Sequence, residues 1–131
     1  MNNQEIENYR KAGEIAKKVK VYAREITEQG SSLLGIAEKI EAKIIELGGK
    51  PAFPVNLCID DIAAHYTPSN DDETRAEGLL KIDIGIHVNG AIADTAFSID
   101  LANLDENKKL IRASEQALKA AIEDYQKKTP I

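Results

Sequence analysis

The chain has 131 residues, 43% of them hydrophobic, a length that suits one domain rather than two. Its formal net charge is −5 with acidic and basic residues interspersed, so no basic face suggests a nucleic-acid partner. The single cysteine, Cys58, excludes an internal disulfide, and no stretch approaches the roughly 18 apolar residues of a membrane span. We therefore expect a cytoplasmic protein that binds neither nucleic acid nor membrane.

Two amphipathic helices are predicted before any strand. From about residue 4 to 28, apolar residues recur at spacings of three and four, and Gly30 follows as a candidate C-cap. Ser31 or Ser32 is expected to cap a second helix at about 31–47, which Gly48 and Gly49 end. The apolar stripes are Tyr9, Ala12, Ala16, Val19, Ala23 and Ile26 in the first helix, and Leu33, Ile36, Ala37, Ile40, Ile44 and Leu47 in the second.

The middle of the chain predicts a sheet. "FPVNLCIDDIAAHY", at about 53–66, has two short apolar runs around Asp60 and Asp61 and predicts a hairpin. A second hairpin is predicted at about 79–99, and a third helix at about 105–127. The predicted fold class is α+β, with helices packed on an antiparallel sheet.

The second hairpin carries one aspartate on each strand. Asn89-Gly90 favours a two-residue turn, which places Asp83 opposite Ala96 and Gly85 opposite Asp94. Because side chains alternate along a strand, both aspartates lie on the same face as diagonal neighbours, about 7–8 Å apart at the backbone. Gly85 and Ala96 are expected to leave room between the two carboxylates.

Two interpretations of this pair are open. Carboxylate oxygens are suitable ligands for a divalent cation, and a pair of them can serve a hydrolytic metal centre. Alternatively, both aspartates lie on the solvated face of a half-exposed sheet or pair with lysines. The spacing alone does not decide between them.

Two segments resemble a known family. "KIDIGIHVNGAIADTAFSID" resembles the first metal-binding segment of methionine aminopeptidases, and "GGKPAFPVNLCIDDIAAHYTP" resembles the preceding segment of the type II branch, particularly in archaeal enzymes. The resemblance implies the N-terminal half of a pita-bread (creatinase/aminopeptidase-like) fold. It also implies removal of the initiator methionine from N-terminal methionine peptides, at a dinuclear site that accepts cobalt, manganese, iron or zinc.

The resemblance also implies roles for individual residues. Asp83 matches the ligand that chelates one metal, and Asp94 matches the carboxylate that bridges both. His65 matches the histidine that contacts the substrate and stabilises the transition state, while Phe53 and Pro54 match the pocket for the methionine side chain. Without the resemblance, His65 would be read as a satisfied or exposed histidine, and Phe53 equally as a core residue or as a pocket wall. His87 is expected to be a neighbour of the site, and Cys58 a buried structural residue.

The family pattern extends beyond this sequence. In the family, a second half contributes a histidine and two glutamates, so this chain is expected to carry only part of the dinuclear site and to be inactive alone. A complementary C-terminal half or a homodimer is the expected partner. The alternatives are a non-catalytic pita-bread-like protein-binding module and an inactive fragment.

Overall fold

The computed structural model describes residues 1–128, which form three helices and a four-stranded antiparallel sheet. The elements in chain order are α1 (Asn3–Ile26), α2 (Leu33–Glu46), β1 (Lys50–Pro51), β2 (Asn56–Ile59), β3 (Leu79–Val88), β4 (Ala91–Asp100) and α3 (Asp105–Lys128). This arrangement confirms the predicted α+β class. In the described part of the chain, no helix combines the length and apolarity needed to cross a membrane.

Helix α1 begins with a reciprocal cap. The Asn2 side chain accepts a hydrogen bond from the Glu5 N–H (2.9 Å), and Glu5 accepts one from the Asn2 N–H (2.7 Å). The helix ends two residues before the predicted position because Thr27 is extended, with its hydroxyl donating to the Ala23 carbonyl (2.6 Å). Gly30, with φ +83°, therefore lies in the following turn and not at the C-cap.

Helix α2 has the predicted caps. Ser32 is the N-cap and accepts a hydrogen bond from the Gly35 N–H (3.2 Å). After Leu47, Gly48 adopts φ +86°, and the Gly49 N–H donates to the Ile44 carbonyl (3.0 Å), which ends the helix.

The core lies between the two helices and one face of the sheet. The buried face of α1 consists of Ala12, Ile15, Ala16, Val19 and Ala23, and that of α2 of Leu33, Ile36, Ala37, Ile40 and Ile44. They meet the alternate residues Ile82, Ile84 and Ile86 of β3, which are fully buried. Tyr9, which the helical pattern assigned to the buried stripe, is 48% exposed.

Strand β3 is the centre of the sheet. β4 pairs with it along its whole length, whereas β1 and β2 pair with its two ends at the other edge. β1 was not predicted, because only two residues pair and one of them is Pro51, a residue type confined to strand edges and ends.

The predicted hairpin at 53–66 is wrong. Only Asn56–Ile59 is a strand, and its partner is β3. The end of this segment contacts β2 through one backbone hydrogen bond, from Leu57 N–H to the Tyr66 carbonyl (2.7 Å). Asp60 (φ +47°) and His65 (φ +66°) are left-handed, which bends the intervening residues away from a regular ladder.

Helix α3 contributes little to this core. Between residues 105 and 127, every side chain is exposed except Asn107 and Ile111, which are half-buried. The exposed apolar residues include Leu110, Leu118, Ile122 and Tyr125. The helix was correctly predicted, but its apolar stripe lies mostly in solvent.

Candidate metal centre

The β3–β4 hairpin has the predicted register. Asn89 (φ +51°) and Gly90 (φ +86°) form the two-residue turn, which both residues permit because they tolerate left-handed backbone. Asp83 pairs with Ala96, and Gly85 pairs with Asp94. The two aspartates therefore share the sheet face opposite the helical core.

The carboxyl groups of Asp83 and Asp94 meet on this face. Asp83 is half-buried, Asp94 is exposed, and the two groups are near enough to affect each other's ionisation. Burial raises the pKa of Asp83, and the charge of Asp94 raises it further. The pair thus concentrates negative charge on this face, and a bound cation would offset the repulsion between the two carboxylates.

Asn56 is a member of the site that the sequence did not reveal. It pairs with Asp83 across β2 and β3, and its side-chain amide interacts with the Asp83 carboxyl, which lowers the pKa of Asp83 against the effect of burial. Local sequence carried no signal for Asn56, because the pairing of β2 with β3 spans a long loop.

Phe53 lies directly over Gly85. A Cβ atom on Gly85 would be 2.2 Å from Cε1 of the Phe53 ring, a distance that no real contact tolerates. The space that Gly85 leaves is therefore filled by this ring, and the expectation of open room at Gly85 is wrong. Phe53 is half-buried and lies outside the main core cluster, with the exposed Pro54 next to it.

His65 lies near the carboxyl pair without belonging to it. Its side chain is exposed, its backbone is left-handed, and its charge acts to lower the pKa of Asp83. Asp83, Asp94, Phe53 and His65 are therefore brought to one region of the sheet, although they come from three separate segments.

The other two candidates have structural surroundings. His87 is on the same strand as Asp83, but its Nδ1 accepts a hydrogen bond from the Gly90 N–H (3.3 Å) and so supports the turn. Cys58 is a free thiol with 2% exposure, and its sulfur accepts a hydrogen bond from the Tyr66 N–H (3.4 Å).

The donor set fits part of a hard-cation site. Within residues 1–128, no group of three or more His, Cys, Asp or Glu side chains converges as a metal site. The Asp83–Asp94 pair offers four oxygens at most, fewer than the roughly six to eight that a hard cation such as calcium takes, although waters can supply some of them. Asp83 also borders a cavity of about 380 Å³, together with Lys81, Ala96 and Leu118 of α3. Further ligands have room to approach from that side.

Archaeal relatives share this sequence closely. A methionine aminopeptidase from Pyrococcus abyssi is 55% identical over 113 residues, which are 85% of this chain and 38% of that protein. One from Methanocaldococcus jannaschii is 48% identical, with 92% of this chain and 42% of that protein covered. The relative from Methanothermus fervidus is 44% identical, and 69% of its length is covered.

Solved structures share the fold. The structure of a methionine aminopeptidase from Thermotoga maritima matches with a TM-score of 0.83 at 23% identity, covering 93% of this chain and 53% of that one. A prolidase from Pyrococcus furiosus matches with a TM-score of 0.66 at 30% identity, covering 75% of this chain and 31% of that one. The chain thus has part of a pita-bread fold.

The family assignment rests on nearly the whole sequence. The profile of metallopeptidase family M24 matches residues 7–131. The chain spans 38% to 42% of the length of the first two archaeal relatives, so it corresponds to a part of those proteins. With its matched profile, its methionine aminopeptidase relatives and its fold, this chain belongs to metallopeptidase family M24.

Proposed function

We propose that this chain forms part of the active site of a metal-dependent aminopeptidase that removes the N-terminal methionine from polypeptides. The observation that carries the proposal is the convergence of Asp83 and Asp94, with Phe53 packed beside them over Gly85. The similarity to archaeal methionine aminopeptidases supports the choice of substrate. The free thiol of Cys58 is consistent with the proposed action on new polypeptides in the reducing cytoplasm.

In this proposal, Asp83 and Asp94 hold a divalent cation. Carboxylate oxygens suit manganese and also bind zinc, and attraction to the cation would offset the burial of Asp83 and its repulsion by Asp94, both of which raise the pKa of Asp83. When bound, the cation supplies Lewis acidity toward the scissile carbonyl. Asn56, cross-strand partner of Asp83, would orient that carboxylate through its side-chain amide.

His65 and the Phe53–Pro54 segment act on the substrate. An imidazole N–H of His65 would donate a hydrogen bond to the scissile amide or to the charge that develops on its carbonyl. The ring of Phe53 offers an apolar surface beside the carboxyl pair, which suits contact with the thioether side chain of methionine. Pro54, exposed next to it, would extend the same wall.

The ligands that complete the site come from outside the described residues. We propose a complementary C-terminal half as their source, because the chain covers only 38% of the Pyrococcus abyssi relative. A second copy of this chain could instead pack against the exposed face of α3, but it would bring a second Asp83–Asp94 pair and not the ligands that this chain lacks.

Calorimetric titration with Mn²⁺ or Co²⁺ tests the metal site. We expect the 131-residue chain to bind at most one divalent cation, weakly, and Asp83→Ala or Asp94→Ala to abolish binding. Asp71→Ala is the matched control, because Asp71 is an exposed carboxylate outside the Asp83–Asp94 pair, and it should leave the isotherm unchanged. Two tight sites, or binding that survives both site variants, would contradict the proposal.

A further inference from the structure

His65 has a backbone conformation that needs support. Its φ of +66° lies in the left-handed region, which is uncommon for residues other than glycine, and its side chain is exposed. An exposed side chain cannot stabilise this conformation by its own packing. The residues that follow His65 must therefore hold it.

Tyr66 and Thr67 fix the backbone directly after His65. The Tyr66 carbonyl accepts a hydrogen bond from Leu57 N–H (2.7 Å), and its N–H donates to Cys58 Sγ (3.4 Å). The Thr67 hydroxyl donates to the Val55 carbonyl (2.9 Å). The chain is thus attached to β2 and the residue before it immediately beyond His65.

The Tyr66 side chain adds a second attachment. Its hydroxyl donates to Asp72 Oδ2 and lies 3.3 Å from Thr74 Oγ1, while Asp72 Oδ1 accepts from the Thr74 N–H (2.8 Å). Hydrogen bonds from Thr74 and Tyr66 lower the pKa of Asp72, so the acceptor is a carboxylate at neutral pH. Hydrogen bonds to ionised groups are among the stronger ones in proteins.

This cluster is itself tied to the helical layer. The Thr74 carbonyl accepts a hydrogen bond from Leu33 N–H (3.0 Å) at the start of α2. Ala76 exchanges backbone hydrogen bonds with the turn before α2, accepting from Gly30 N–H (2.7 Å) and donating to the Ser31 carbonyl (2.8 Å). The Tyr66 hydroxyl therefore connects the His65 loop, residues 60–67, to the rigid core.

We propose that Tyr66, Asp72 and Thr74 form a latch that positions His65 beside the Asp83–Asp94 pair. This inference rests on the role of His65 in the proposed function. Tyr66 acts as a positioning residue: its hydroxyl donates to Asp72, outside the Asp83–Asp94 pair, and it works through the backbone of its neighbour His65. Without the latch, His65 would sample other conformations, and a donor misplaced by about 1 Å costs up to roughly 100-fold in rate.

Amide hydrogen exchange on the 131-residue chain tests the latch. Leu57 N–H bonds to the Tyr66 carbonyl at one end of the His65 loop, whereas Asp60 N–H bonds to the Leu79 carbonyl (2.9 Å) at the other. Tyr66→Phe should accelerate exchange at Leu57 by at least about 10-fold and leave Asp60 unchanged. Tyr9→Phe, the same change on an exposed residue, should affect neither amide.

Asp72→Asn provides a second variant, because it weakens the hydrogen bond between the Tyr66 hydroxyl and Asp72 by changing the acceptor. Asp72→Asn should also accelerate amide exchange at Leu57. Exchange at Leu57 in the double variant should be no faster than in either single variant. Unchanged exchange at Leu57 in both variants, or equal acceleration at Leu57, Asp60 and the β3 amides, would overturn the latch.

Mn²⁺ provides a readout of position. The sequence has only two histidines, so the ring-proton NMR signals of His65 and His87 are easily distinguished. The signal of His87 serves as an internal reference. Mn²⁺ should broaden the His65 signals, and Tyr66→Phe should reduce this broadening relative to His87. Equal broadening of His65 in both proteins would overturn the latch. If Mn²⁺ broadens neither histidine, the proposed metal site fails, whereas the exchange experiment still decides the latch.

Discussion

At the scale of single residues, the contact between Gly85 and Phe53 organises the site. The ring occupies the position of a side chain at residue 85, so it lies on the same sheet face as both aspartates. Glycine is required here by the close approach of a ring and not by an unusual backbone angle, because Gly85 is an ordinary strand residue with φ outside the left-handed region. The site is thus assembled by steric fit as well as by charge.

Gly85→Ala should displace the Phe53 ring. Because the added Cβ would be 2.2 Å from the ring, we expect a loss of about 1–3 kcal/mol in the free energy of unfolding, measured by urea denaturation. Gly13→Ala is the control: no atom lies within 4 Å of its Cβ position, and the helical site should gain roughly 0.5–1 kcal/mol. In a Phe53→Ala background the Gly85→Ala cost should largely disappear, and a cost that persists there would disprove the contact.

At the scale of elements, the junction between β4 and α3 is held by Asp100. Its Oδ1 accepts hydrogen bonds from Asn107 Nδ2 (3.0 Å) and from Ala102 N–H (3.1 Å), and Lys108 contributes attraction. These interactions lower the pKa of Asp100, with the Asn107 bond as the largest cause. Since α3 buries little surface, its direction relative to the sheet depends on this junction.

The stability from Asp100 should depend on pH. A carboxyl group whose pKa is lowered by folding stabilises the protein above its unfolded pKa of about 3.9, and this contribution is lost as pH falls through the lower folded value. Asp100→Asn should therefore destabilise the chain at pH 7, and the difference from wild type should shrink below about pH 4. Thermal unfolding, followed by circular dichroism from pH 7 to pH 3, measures this difference in stability between the variant and wild type.

Asp61→Asn is the control for this experiment, because Asp61 is an exposed carboxylate on the His65 loop. Its effect on thermal unfolding should be small at every pH. A difference between Asp100→Asn and wild type that stays constant across the range would show that the charge of Asp100 does not hold the junction.

The elements also show what local sequence can predict. The register of β3 and β4 follows from the Asn89-Gly90 turn, so the meeting of Asp83 and Asp94 could be predicted without a structure. The pairing of Asn56 with Asp83 and the contact of Phe53 with Gly85 could not be predicted in this way. Asn56 and Phe53 reach Asp83 and Gly85 because β2 and the segment after β1 pair with β3, and such non-local pairing leaves no local pattern.

At the scale of the whole molecule, the proposed site is incomplete. The described residues supply the Asp83–Asp94 pair with His65 nearby, and within them no group of three or more His, Cys, Asp or Glu side chains converges as a metal site. We expect the 131-residue chain, with Mn²⁺ or Co²⁺, to release no methionine from a Met-Ala-initiated peptide above background, measured by chromatography. Turnover that copurifies with the chain and disappears in His65→Ala would show that the site is complete without other ligands.

One surface of the described residues is suited to docking of the proposed complementary half. Within residues 1–128, β3 is the one strand that pairs with β4, so the other edge of β4 presents backbone groups outside the ladder, and the hairpin register assigns them to Ile92, Asp94, Ala96 and Ser98. Beside it, α3 exposes Leu118 and Ile122, at 61% and 49%. A free strand edge next to an apolar helix face favours association.

Light scattering over a range of concentrations should therefore detect self-association of the chain when no complementary half is present, because a second copy can cover the same surface. Leu118→Asp with Ile122→Asp should shift the equilibrium to monomer, since charge on this face opposes its burial. Ile45→Asp, on the exposed side of α2 and 62% exposed, is the matched control and should leave association unchanged. A monomer at high micromolar concentration would mean that α3 and the β4 edge are stable in water, and a complementary half would then have to bind by its metal ligands more than by this face.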